Sequence, residues 1–194
     1  MDSITGTQDL SEAEQIIFVT AISGSATGVL DFYEMREGEW ITVFSQIPVQ
    51  LGRSGLIEKN KKREGDGFTP KGIYPIKRIF GKKDLSVKKL EYTKIKKNHY
   101  WGSNPNSKHY NQFLTKKEEG SISLFNSKIY ELFVVVEYNT YPAIPGFGSM
   151  IFIHGWEETK PTSGCVGIDP KILNSILRHL DGNKRPVLFI LSNP

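Results

Sequence analysis

Short apolar runs rich in β-branched and aromatic residues, separated by glycine-bearing and charged stretches, dominate the chain, and they predict strands rather than helices. Residues 15–21 are the first such run. Residues 28–35 and 39–44 predict a hairpin that turns at Glu37-Gly38, and 47–51 extend it into a Gly52-Arg53-Ser54-Gly55 loop. Shorter strand pieces follow at 72–76 and 78–80. The strongest strand is 130–138, followed by 150–154 and, near the end, 186–191. One segment breaks the pattern. Asp169 is a good helix N-cap and Pro170 a good first helical residue, and Ile172, Leu173, Ile176, Leu177 and Leu180 recur at helical spacing before Gly182 offers a stop. No internal repeat and no linker divides the chain, so the expectation is a flexible segment over 1–14 and a single catalytic-sized domain over 15–194.

Composition supports this and narrows it little. The chain has 194 residues, 38% hydrophobic and 24% charged, which is enough for one packed core and too apolar for disorder. A net charge of +4 favours polyanions such as wall polymers, nucleic acid or an anionic membrane without choosing among them. Lysines crowd residues 59–97, mostly as a solvated surface. No apolar run is long enough to span a bilayer, so no stable membrane insertion is expected. The polar start lacks the features of a secretory signal, so the protein is either cytosolic or begins after a removed signal. The four histidines, His99, His109, His154 and His179, have no zinc spacing, and no metal or cofactor is expected. Residues 99–113, dense in aromatics and turn formers, suit either a pocket wall or a loop pinned by packing.

There is one cysteine, Cys165. Alone, it is more often a small core residue than a nucleophile. Its neighbours change that reading. A buried strand ends at His154-Gly155-Trp156, a polar loop follows, and Thr162-Ser163-Gly164-Cys165 then presents the thiol ahead of the Asp169-capped helix. A thiol with its ordinary pKa of about 8.5 is mostly protonated at neutral pH, and a nearby imidazole can take its proton and hold the ion pair. His154 and Cys165 flank one short loop that can bring them together. The N–H groups of Ser163, Gly164 and Cys165 can converge on an oxyanion. No carboxylate is obviously placed for the second ring nitrogen, which points to a backbone carbonyl such as that of Gly155.

With these residues the chain resembles the L,D-transpeptidase catalytic domain, the YkuD type, which carries a histidine at a strand end and a Ser/Thr-x-Gly-Cys turn. The segments Gly52-Arg53-Ser54-Gly55-Leu56, Glu64-Gly65-Asp66-Gly67-Phe68-Thr69-Pro70-Lys71-Gly72-Ile73-Tyr74 and Ser107-Lys108-His109-Tyr110-Asn111 are similar to further family segments, so the resemblance covers most of the chain, from about Ile16 to Leu191. Ser163 replaces the family's commoner histidine before Gly-Cys, and Gly167 replaces an arginine or asparagine. These mark a divergent branch.

The resemblance implies a mainly β, sandwich-like domain with a few helices. It implies that Cys165 attacks the L,D bond of a peptidoglycan tetrapeptide stem after its third residue, usually diaminopimelate. The terminal D-residue leaves, and the thioester passes to an amine acceptor: a second stem, a D-amino acid or a protein. His154 is then the base, Gly155 orients it, and the Ser163–Cys165 turn holds the oxyanion. The setting implied is the periplasm or cell envelope, with a role in peptidoglycan biosynthesis, cell wall organisation and cell shape. Trp156, Thr162, Tyr110, Asn111 and Trp101 are the candidates for substrate contact, and lysines such as Lys71 for stem carboxylates. Three rivals remain: a carboxypeptidase or endopeptidase that passes the acyl group to water, a non-catalytic wall-binding β module, and a nucleic-acid binder using the lysines with Tyr100 and Trp101. No nucleic-acid motif supports the last, so no nucleic-acid partner is expected. Oligomeric state is not legible.

Overall fold

The computed structural model describes residues 10–157 and 159–193. Fourteen strands and one α-helix make up its regular structure. They are β1 (Gln15–Ile22), β2 (Thr27–Arg36), β3 (Glu39–Gln50), β4 (Leu56–Glu58), β5 (Thr69–Pro75), β6 (Arg78–Gly81), β7 (Glu91–Lys94), β8 (Tyr100–Gly102), β9 (Phe113–Leu114), β10 (Ser121–Ser123), β11 (Leu132–Val135), β12 (Phe152–Gly155), β13 (Val166–Ile168), α1 (Pro170–His179) and β14 (Val187–Asn193). Eleven strands form one sheet in the order β4-β5-β14-β1-β2-β3-β13-β12-β11-β6-β7, and β10-β8-β9 form a small second sheet. Of the segment expected to be flexible, residues 1–9 lie outside the described residues. In its remainder Leu10–Glu12 forms a 3-10 turn, Ala13 is buried and the Glu14 N–H donates to the Lys184 carbonyl at 2.8 Å.

The large sheet curls so that its two halves share one aliphatic core. Ile17 and Val19 of β1 and Leu188 and Ile190 of β14 pack in the same cluster as Val134 of β11, Ile153 of β12 and Val166 and Ile168 of β13. This is the sandwich-like, mostly β architecture expected. Helix α1 adds Leu173, Ile176 and Leu177 to that core, and Asp169 caps it by accepting the N–H groups of Lys171 and Ile172. The helix ends at Leu180. Gly182, anticipated as its stop, instead opens a separate 3-10 turn, Gly182–Lys184.

Because successive side chains of a strand point to opposite faces, the other face of β11 and β12 builds a second, aromatic cluster. Phe80, Trp101, Tyr130, Phe133 and Phe152 fill it, with Phe80 and Phe133 stacked at 5.1 Å and Phe133 and Phe152 tilted against each other at 4.4 Å. Most of the lysine-rich stretch is surface, with several ion pairs: Lys71 with Glu58, Lys82 with Glu131, Lys88 with Asp181 and Lys94 with Asp84, whereas Lys62 is buried at 2% exposure. No helix among the described residues is long and apolar enough to cross a membrane.

Candidate active site

Strand β12 carries its polar end residue, His154, onto the aromatic face, next to Phe152. The ring is almost fully enclosed, at 1% exposure. Tyr130 and Trp156 meet it edge-on, with centroids at 6.3 and 5.4 Å. Its Nδ1 lies 3.0 Å from the carbonyl oxygen of Gly155. With that carbonyl as acceptor, Nδ1 carries the proton and Nε2 is the basic nitrogen.

β13 runs parallel beside β12, with Ile153 opposite Val166, and this pairing brings the residue before β13, Cys165, alongside the strand that holds His154. The two side chains line one cleft of about 500 Å³. The turn before the cysteine is braced by Thr162. Its hydroxyl donates to the Cys165 carbonyl at 2.7 Å and accepts the Gly164 N–H at 3.1 Å. Gly164 has φ +142°, and a Cβ there would stand 2.9 Å from the carbonyl oxygen of Phe68, so the turn closes only with glycine. Thr69, from the Thr69-Pro70-Lys71-Gly72 segment, ties a third piece in: its hydroxyl accepts the Gly52 N–H at 2.8 Å and donates to the Cys165 carbonyl at 3.4 Å.

The electrostatics depart from the ion pair suggested by the sequence. Cys165 is half-buried, its Sγ donates to the Met150 carbonyl at 3.2 Å, and burial pushes the thiol up to about 11. The Phe152 N–H and the Lys62 ammonium pull in the opposite direction without reversing it. Burial also lowers the His154 imidazole below its ordinary value, although the Gly155 hydrogen bond works against this. The resting pair is therefore a neutral thiol and a neutral imidazole at neutral pH.

The predicted substrate residues divide. Trp156 lines the cleft, held by its Nε1 donating to the Lys160 carbonyl at 2.8 Å. Thr162 and Ser163 line it as well. The other three lie behind the wall, outside the set of cleft-lining side chains. Trp101 is fully buried, and its Nε1 donates to Asn111 Oδ1 at 3.0 Å. Asn111 is buried too, accepts the Met150 N–H at 3.1 Å, and donates to the Asn139 carbonyl at 2.7 Å. Tyr110 is buried, donates to Glu64, and accepts the Gly148 N–H at 3.0 Å. These three orient the segment that leads into β12. Lys71 is also away from the cleft, paired with Glu58 and bonded to Ser192.

Several cleft residues were not anticipated: Arg53, Lys62, Glu64, Tyr130 and Ser149. The segments holding Arg53 and Glu64 stood out in the sequence for their glycines, but nothing local said which side chains turn inward. Among the described residues no group of three or more His, Cys, Asp and Glu side chains is placed to hold a metal ion.

Comparison with known proteins places the chain in a family. The model of the YkuD L,D-transpeptidase catalytic domain matches residues 26–188. Among solved structures, the helical cell shape determining protein Pgp2 from Campylobacter jejuni aligns with a TM-score of 0.50 at 15% identity, over 94% of this chain and 49% of that one. Its K307A mutant aligns with a TM-score of 0.49 at 17% identity, over 94% and 48%. The chain thus spans about half the length of these structures, and the likeness is one of fold. A search of curated proteins gave no significant match.

Proposed function

Starting from the chain's membership of the L,D-transpeptidase catalytic domain family, we propose that it is a cysteine-dependent acyltransferase of the cell envelope that acts on peptidoglycan tetrapeptide stems. The observation that carries this reading is the shared cleft of Cys165 and a His154 whose Nδ1 is engaged by Gly155, which leaves Nε2 as the proton acceptor.

The thiol is neutral at rest, so proton transfer accompanies attack. As Sγ bonds to the carbonyl carbon of the third stem residue, its proton passes to His154 Nε2. The carbonyl π electrons move onto oxygen. The N–H groups of Ser163 and Cys165 are the proposed donors to that oxyanion, since the Gly164 N–H is already held by Thr162. When the tetrahedral intermediate collapses, the C–N bond breaks and His154 returns its proton to the departing D-amino acid nitrogen. A thioester remains on Cys165. An acceptor amine then attacks this thioester, gives a proton to His154, and expels the thiolate, which takes that proton back. Water in place of the amine would make the enzyme a carboxypeptidase.

The test is intact-protein mass after incubation with a tetrapeptide stem, with and without an amine acceptor. The expected result is a tripeptide adduct on the wild type, none on Cys165→Ala, and a new amide product when amine is present. Hydrolysis products alone in both conditions overturn the transferase assignment. No adduct in any condition overturns the acyl-enzyme reading.

A further inference from the structure

Three charged side chains line the cleft, and two already have partners. Lys62 Nζ donates to Asp66 Oδ1 at 2.6 Å and to the Arg63 carbonyl at 2.7 Å. Glu64 Oε2 accepts from Ser149 Oγ at 2.8 Å and from the Tyr110 hydroxyl. Arg53 is the exception: it is exposed, and among the described residues no carboxylate pairs with it.

The guanidinium is nonetheless held in place. The Arg53 backbone N–H donates to the carbonyl of Thr162, three residues before the nucleophile, at 2.9 Å. Nη2 donates to the Gly65 carbonyl at 2.8 Å. The side chain lies across Gly67, where a Cβ would stand 2.7 Å from Cζ and 2.9 Å from Nε, so a side chain at this position would displace it. A fixed planar fork with donors unclaimed by protein acceptors, beside a nucleophile, matches a carboxylate bidentately. Fixing it in advance also lowers the entropy lost on binding.

We propose that Arg53 is a carboxylate-docking residue that receives a free carboxylate of the stem peptide and makes the enzyme discriminate against amidated stems. This rests on the acyl-transfer reading of the cleft. Two carboxylates near the scissile bond share the required chemistry: the C-terminal one of the leaving D-residue, and the side-chain one of a third-position diaminopimelate.

The test separates them. Titration calorimetry on Cys165→Ala protein, which cannot acylate, compares three tetrapeptides: free, C-terminally amidated, and amidated on the third side chain. With Arg53 intact, one amide should bind about tenfold to a hundredfold more weakly than the free peptide, the range of a charge-assisted hydrogen bond. Arg53→Gln should lower the free peptide to the level of that amide and leave that amide unchanged, which identifies the docked carboxylate. Arg53→Lys, keeping charge without the fork, should recover part of the loss. Equal weakening of all three peptides by Arg53→Gln, or no change for any, overturns the proposal. These readouts do not involve thioester formation. A wild type that forms no adduct with any peptide therefore counts against the acyl-transfer reading, while the calorimetry still decides the docking role.

Discussion

Along the segment that ends in β12, Ile151 and Ile153 point into the aliphatic core shared with β1, β13, β14 and α1, whereas Phe152 and His154 point the other way, into the shell of Trp101, Tyr130, Phe133 and Trp156. The first face is apolar, and Ile151 on it also reaches the cleft wall. The second holds one titratable ring and opens beside it onto the cleft of Cys165. A strand has a period of two, so a slip of one residue would exchange the faces and sink His154 into the core. The ring is thus positioned from two sides: apolar packing holds the strand in register, and Tyr130 and Trp156, which also line the cleft, meet the ring edge-on. The two faces make separable predictions, one kinetic and one thermodynamic.

The largest effect belongs to the cleft face. His154→Gln keeps a planar polar group of similar reach but removes the proton acceptor. Thioester formation on Cys165 should fall about 10²–10⁴-fold, with the thermal midpoint little changed. The measurement is the single-turnover adduct rate by mass spectrometry, together with a thermal melt. A rate within a few-fold of wild type would show that the thiol needs no imidazole and would dissolve the distinction between the faces.

The core face should give the next largest effect, and of the opposite kind. Ile153, 1% exposed and flanked by residues of β11 and β13, loses three buried carbons in Ile153→Ala. The expected destabilisation is about 2–5 kcal/mol by urea or thermal unfolding, from lost apolar transfer and a residual cavity. At temperatures where the variant is still folded, its adduct rate should be close to wild type if the aromatic shell alone fixes the ring. A rate loss beyond the unfolded fraction would instead show that the aliphatic face aligns His154 as well.

The two faces also differ in how far they could be read in advance. The apolar runs gave β12, β14 and the hairpin to within a few residues, because strand propensity and alternation are local properties. The Asp169 cap with Pro170 marked α1 at its first residue for the same reason. The pairing of His154 with Cys165 was legible because both flank one loop. The rest of the cleft wall was not. Arg53, Lys62 and Glu64 reach it from loops about 100 residues earlier in the chain, and no periodicity encodes such contacts. Trp101, Tyr110 and Asn111 show the converse error. Aromatic rings and amides serve a ligand or a buried hydrogen-bond network equally well, and here Asn111 joins Trp101 to the Met150 backbone inside the fold. The N-terminal residues 10–14 pack for a non-local reason too, through the Glu14 N–H on the Lys184 carbonyl.

The smallest effect distinguishes the neutral pair from an ion pair. Enclosure of the cleft face raises the thiol to about 11 and lowers the imidazole, so the free enzyme holds few thiolates at neutral pH. Only the thiolate reacts with iodoacetamide. Below the thiol pKa its fraction rises tenfold per pH unit, which corresponds to about 1.4 kcal/mol. Alkylation of Cys165 should therefore climb about tenfold between pH 8 and pH 9 and continue upward without a plateau until near pH 11. A thiolate–imidazolium pair would give a different curve, with an early rise as the thiol ionises at low pH and a flat region through neutrality. In His154→Gln the climb should keep its slope, because the imidazole is already uncharged across that range and supplies no cation to lose. If the variant instead shifts the curve by a unit or more to higher pH, the ring carries positive charge in the resting enzyme, and the proton has already moved before substrate arrives.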